Sequence, residues 1–150
     1  MRISELLTLP LVKIGLESET KDGLFQEMVQ LFVDAGKLKD REAAIAALFD
    51  RESKMSTGIA NGLGVPHGKL QEATGLLMAA GVSSKGIEYD ALDGEPVYVV
   101  LMVFAEIDNP GPHIQALAET ARLFSLPGFT VKVRAVKRPE ELLALIREEE

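Results

Sequence analysis

Val97-Tyr-Val-Val-Leu-Met-Val-Phe-Ala105 is the longest apolar run in the chain. It is too short to cross a bilayer and long enough for a strand covered on both faces. Upstream, Ala91-Leu-Asp-Gly-Glu-Pro96 reads as a turn with Asp93-Gly94 at its tip, and Gly75 to Val82 reads as a second buried strand. Downstream, Pro110-Gly-Pro112 breaks the chain and opens a helix whose apolar stripe is Ile114, Leu117, Ala118, Ala121 and Phe124. Leu126-Pro-Gly128 stops that helix. Val131 to Val136 reads as a last strand, and Pro139 sits well as the first residue of a final helix carrying Leu142, Leu143 and Ile146.

Toward the N-terminus, Val12 to Leu16 is a short strand. Thr20 can cap a helix to about Ala35, with Leu24, Phe25, Met28, Leu31, Phe32 and Ala35 on one stripe and Gly36 ending it. Asp40 can cap a further helix that turns Ile45, Leu48 and Phe49 inward and ends near Arg51. Helices separating buried strands predict an α/β sandwich with a mixed or largely parallel sheet.

The chain has 150 residues, the size of one domain, so 1–150 is taken as a single unit. Hydrophobic residues make up 47% and charged residues 26%, ordinary for a globular protein. The net charge of −7 argues against nucleic acid, whose binders carry a basic face. With no Cys there is no disulfide, Cys-ligated zinc, iron–sulfur cluster or thiol nucleophile. MRISELLTLP lacks the apolar core and cleavage site of a signal peptide, and no window spans a membrane, so a cytoplasmic protein is expected.

Two His remain for imidazole chemistry. His67 lies in Ser53-Lys-Met-Ser-Thr-Gly-Ile-Ala-Asn-Gly-Leu-Gly-Val-Pro-His-Gly-Lys69, an irregular stretch with four Gly, a Pro and at most a brief strand around Leu63 to Val65. Pro66 and Gly68 place its ring at a rigid, exposed corner open to a large group. Neutral imidazole is nucleophilic and can accept a phosphoryl group, although a plain surface or structural His fits the pattern too. His113 falls in the first turn of a helix, where backbone N–H groups attract anions; it can equally be a helix-start residue without a role. Arg51 can grip a phosphoryl group in bidentate fashion or simply face a helix C-terminus. Ser56, Thr57 and Asn61 can donate to phosphate oxygens, and loop composition explains them equally well.

Other chemistries fail on spacing. Before Gly68-Lys69 the first Gly of a Walker A loop is replaced by Leu63, and Leu70 stands where Ser or Thr is required. Gly62-Leu-Gly64 begins a dinucleotide fingerprint that His67 ends. The chain holds no HExxH, no EF-hand loop and no Gly-x-Ser-x-Gly elbow. A metal site of both His with Glu106 or Asp108 is left open, without short ligand spacing to support it.

Taken whole, Arg51-Glu-Ser-Lys-Met-Ser-Thr-Gly-Ile-Ala-Asn-Gly-Leu-Gly-Val-Pro-His-Gly-Lys69 resembles an enzyme IIA domain of the phosphoenolpyruvate-dependent phosphotransferase system, of the fructose/mannitol type that includes the nitrogen-regulatory branch. Leu92-Asp-Gly-Glu-Pro96 and His113-Ile-Gln-Ala-Leu-Ala-Glu-Thr-Ala-Arg-Leu-Phe124 extend the resemblance over essentially the whole chain. Ala60 stands where the family often has Gly, and Gly64 where it often has Ala; these departures bear on loop stiffness. The resemblance implies a three-layer sandwich with a mixed β-sheet flanked by helices, and no cofactor or metal. It implies that His67 takes a phosphoryl group on Nε2 from the carrier HPr, or its nitrogen-branch paralogue, and passes it to a Cys of an enzyme IIB protein or domain, here expected on another chain. His113 and Arg51 match the family's second active-site His and its Arg, and would steady the phosphoryl group. In the nitrogen branch the phosphorylation state would instead control binding to regulatory kinases or ion transporters.

Overall fold

A computed structural model describes residues 2–150. The strand β5 (Val97–Glu106) forms the centre of a five-stranded mixed sheet. On one side it pairs antiparallel with β4 (Leu77–Ile87), which in turn pairs parallel with the edge strand β1 (Val12–Ile14). On its other side run two short parallel segments, β2 (Leu63–Gly64) and β3 (His67–Leu70). Leu63 is opposite Val99 and His67 opposite Val103, so the offset is the same and the two behave as one edge strand interrupted at Val65-Pro66.

The alternation within β5 explains its unbroken hydrophobicity. Val100, Met102 and Phe104 enter a core under α2 (Lys21–Asp34) and α3 (Arg41–Glu52). Val99, Leu101 and Val103 enter a second core. That core lies under α1 (Ile3–Leu6), α4 (Gly111–Phe124), α5 (Phe129–Ala135) and α6 (Pro139–Glu149). Helices therefore cover both faces, and the expected three-layer sandwich with a mixed sheet is the observed fold. The capping expectations hold: Thr20 Oγ1 accepts from Gly23 N at 3.2 Å, and Asp40 Oδ1 accepts from Ala43 N at 3.0 Å. Phe104 packs edge-on against Phe32 with centroids 5.2 Å apart, both rings fully buried. Phe104→Ala is expected to cost about 3–5 kcal/mol of stability, read as a lower urea midpoint.

Three expectations are corrected. Val131 to Val136 is not a strand; residues 129–135 form α5. Phe129, Val133 and Val136 are buried at spacings of four and three, while Val131 is 72% exposed. Burial at helical period thus overrides the β-branched composition. The stripe of α4 is also rotated: Ala116, Thr120 and Leu123 face the core with Phe124, whereas Ile114 is 64% exposed and Ala118 and Ala121 lie outside. A small Ala and a Thr on the inner face let the helix lie close to the sheet, which hydrophobicity alone does not signal. Finally, His67 is not on an exposed corner; it begins β3, and only 9% of the residue is exposed.

Candidate active site

His67 is reached by three elements. β3 is pinned beside β5 by its register with Val103, and Val103 N donates to Pro66 O at 3.0 Å. α3 lies against β3 at Gly68, where a Cβ would come within 3.1 Å of Ala47 Cβ and 3.2 Å of its carbonyl carbon. Only glycine permits that approach without moving the helix. The approach carries Arg51, in the last turn of α3, to the histidine. α4 starts at Gly111 and brings His113 over the same place, with the two imidazole centroids 4.8 Å apart and the planes inclined by 59°.

These residues enclose a cavity of about 360 Å³ lined by Ala47, Asp50, Arg51, Lys54, His67, Gly68, Lys69 and His113. Three fixed or flexible cations against one carboxylate make it electropositive within a chain of net charge −7. Such a pocket suits an anion near the imidazoles. Arg51 is held in place by donating Nη1 to Met55 O at 2.7 Å.

The ring nitrogens of His67 are not equivalent. Nδ1 lies 2.7 Å from the Val65 carbonyl oxygen. A carbonyl only accepts, so the proton of the neutral ring sits on Nδ1 and the lone pair is left on Nε2. Burial pushes the His67 pKa below the ordinary value of 6.5; the Val65 bond opposes this, the Arg51 charge adds to it, and Glu52 opposes it. His113 is lowered further, to about 4, first by burial and then by His67, Lys69 and Arg51. Its Nε2 is buried without a partner among the described residues, a cost that folding alone does not explain.

Both shifts favour the neutral imidazoles. If neutral His67 is the nucleophile, phosphorylation holds at neutral pH and falls as pH drops through a midpoint lying below the ordinary imidazole value of 6.5. Stability follows a related course. Between about pH 6.5 and 4 the unfolded chain binds a proton at His113 that the folded chain excludes, so stability declines as pH falls through that window. Urea unfolding at pH 7, 5.5 and 4 is expected to show this decline, and to show less of it in a His113→Leu variant.

The geometry unites Arg51, His67 and His113 and places the remaining candidates elsewhere. Thr57 is 2% exposed, and its hydroxyl bonds inward to Glu52 and Tyr89. Ser56 Oγ accepts from Gly58 N at 3.2 Å. Asn61 lines a different cavity with Tyr98 and Arg134. With Gly62 it forms a tight turn, φ being 58° and 78°, and Ile59 N donates to Leu63 O across it. The Asn-Gly dipeptide was the available signal for that hairpin. Lys54 and Lys69, which sequence reasoning passed over, line the cavity. Among the described residues no group of three or more His, Asp or Glu is arranged for a metal, and Glu106 accepts from Gly75 N at 2.8 Å. Nor is any of their helices long and apolar enough to cross a membrane.

An electropositive cavity around a buried imidazole whose Nε2 lone pair is left free has the chemistry that phosphoryl transfer calls for. The family model described as phosphoenolpyruvate-dependent sugar phosphotransferase system, EIIA 2, matches residues 5–149, and the chain belongs to that family. It is 33% identical over 120 residues to the fructose-specific EIIA component of Haloferax volcanii, covering 80% of this chain and 78% of that one. It is 39% identical over 123 residues to the fructose-specific EIIABC component of Bacillus subtilis, where the match covers 82% of this chain but 19% of the larger protein. The nitrogen regulatory protein IIA-Ntr of Neisseria meningitidis superposes with a TM-score of 0.89 at 26% identity, over 96% of this chain and 98% of that one. Escherichia coli IIA mannitol, at 17% identity and a TM-score of 0.79 over 93% and 97% of the two chains, shares the fold.

Proposed function

We propose that this chain is a phosphoryl carrier and that His67 Nε2 is its acceptor. The observation that carries the reading is the Nδ1–Val65 carbonyl bond, which leaves the Nε2 lone pair on a ring lining the electropositive cavity. In the forward step Nε2 attacks the phosphorus of a phosphohistidine on HPr or its nitrogen-branch paralogue. The new N–P bond forms as the donor's N–P bond breaks, and the donor imidazole keeps that electron pair. In the second step a cysteine thiolate of an enzyme IIB protein or domain attacks the phosphorus, and Nε2 recovers its pair. The chain has no Cys, so this acceptor lies outside residues 1–150. A solved complex of E. coli IIA mannitol with phosphorylated IIB mannitol supports a partner of that kind. This reading places the chain in the cytoplasm with its donor.

Transfer of a phosphoryl group needs positioning and neutralisation of spreading oxygen charge more than covalent help. Arg51 supplies a fixed guanidinium, and His113 supplies an N–H donor once it turns or protonates toward the dianion. Lys54 and Lys69 add charge at the cavity wall.

A second reading is a regulatory role, favoured by the fit to IIA-Ntr and by 35% identity over 105 residues to the nitrogen regulatory protein of Klebsiella oxytoca, 68% of this chain and 64% of that one. A phosphoryl group adds about −1.5 to −2 charge, enough to reverse a protein contact. The test is to phosphorylate the protein with phosphoenolpyruvate, enzyme I and HPr and then mix it with candidate IIB proteins. Loss of its phosphate to a IIB cysteine supports transport. Retention of the phosphate, with state-dependent binding to a kinase or ion transporter, supports regulation.

A further inference from the structure

The loop between α3 and β2 is held from beneath the site by a buried polar chain. Glu52 ends α3, and its side chain is only 4% exposed. One carboxylate oxygen, Oε2, receives Lys21 Nζ from the start of α2 at 2.9 Å. The other, Oε1, accepts the Thr57 N–H at 3.1 Å and also the Thr57 hydroxyl. That hydroxyl has a single proton, so the Tyr89 phenol must donate to Thr57 Oγ1, 2.6 Å away. Burial raises the Tyr89 pKa and keeps the phenol protonated for this role. The next residue, Gly58, packs so close to Tyr89 and Ala91 that a Cβ would come within 2.7 Å of Tyr89 Cδ1 and of Ala91 Cβ.

From Thr57 the chain of bonds continues to the site. Val65 N donates to Thr57 O at 3.0 Å, and Val65 O accepts from His67 Nδ1 at 2.7 Å. The residue after Val65 is Pro66, which has no N–H with which to anchor the peptide carrying the Val65 carbonyl. The aim of that carbonyl therefore depends on the Val65 N–H bond to Thr57 on one side and on the Pro66 carbonyl bond to Val103 on the other.

We propose that Glu52 is a positioning residue for His67: through Thr57 and Val65 it holds the carbonyl that keeps the His67 proton on Nδ1 and the lone pair on Nε2. The proposal rests on the reading of His67 as phosphoryl acceptor. Removing the Glu52 acceptor leaves the buried Thr57 N–H unpaired and the Thr57 hydroxyl with Tyr89 alone, and the loop must shift to satisfy the N–H. The Val65 carbonyl then loses its fixed aim, and His67 populates the tautomer with its proton on Nε2, which cannot attack.

The experiment compares the whole wild-type chain with Glu52→Ala, Thr57→Val and Thr57→Ser. The readouts are the ¹⁵N shifts of the His67 ring, the rate of phosphorylation by phosphoenolpyruvate, enzyme I and HPr, and the melting temperature. Wild type is expected to show Nδ1–H. Glu52→Ala and Thr57→Val are expected to raise the Nε2–H fraction and slow phosphorylation about tenfold, and Thr57→Ser, which keeps the hydroxyl, to restore both. Should Glu52→Ala fail to fold, the isosteric Thr57→Val decides. Folded variants with the wild-type tautomer overturn the proposal, whether their rates are normal or reduced. A wild-type chain that takes no phosphate on His67 overturns the acceptor reading instead, while the ring shifts still decide the positioning role.

Discussion

Replacing His67 with alanine is expected to reduce phosphorylation by phosphoenolpyruvate, enzyme I and HPr to background, a loss on the order of 10⁴-fold or more. The imidazole is the nucleophile in the proposed step, and the chain has no Cys to stand in for it. The other imidazole, His113, has its Nε2 buried and sits across the cavity without the carbonyl bond that sets the His67 tautomer. The fold should survive. His67 begins an edge strand, and its side chain contributes one hydrogen bond, worth about 1 kcal/mol. An unchanged circular dichroism spectrum with no acid-labile phosphate is the expected pair of observations. Acid-labile phosphate persisting on the variant would sink the assignment.

Changing His113 to leucine is expected to slow phosphorylation about 10²-fold without abolishing it, the usual effect of removing one donor from a charge-stabilising site. The same variant should hold or raise the melting temperature. An unpaired buried polar atom costs about 1–3 kcal/mol, and leucine removes that atom while filling much of the ring's volume. Opposite movements of rate and stability would distinguish a functional histidine from a structural one. A wild-type rate would remove His113 from the site; a large fall in melting temperature would show that the ring is there for packing.

Much of the architecture was legible because its signals are local. Thr20 and Asp40 announce helix starts through their own side-chain oxygens, and both bonds are present. The apolar run 97–105 announces a strand covered on both faces, and β5 fills two cores by alternation. Residues 129–136 misled because so short a window fits two periods. Phe129, Val131 and Val133 alternate like a strand, while Phe129, Val133 and Val136 repeat like a helix. The choice was made by Phe124, whose ring meets Phe129 edge-on at 5.1 Å, and by the covered face of the sheet beneath. The face of α4 was misjudged for a related reason: the inner positions carry Ala116 and Thr120, chosen for closeness rather than hydrophobicity.

Sequence by itself determined the layered α/β class and the starts of several helices, and it singled out Arg51, His67 and His113, which the fold brings around one cavity. Residue type and local spacing carry the elements, and a family resemblance carries the three site residues. Tertiary structure alone decided which nitrogen of His67 is free, why both imidazoles stay neutral, and what Thr57 does. Those properties come from a carbonyl two residues away, from burial beneath α3 and α4, and from a carboxylate at the end of a helix. Each depends on groups brought together across the sheet and helices, and energies of burial and hydrogen bonding exist only once they meet.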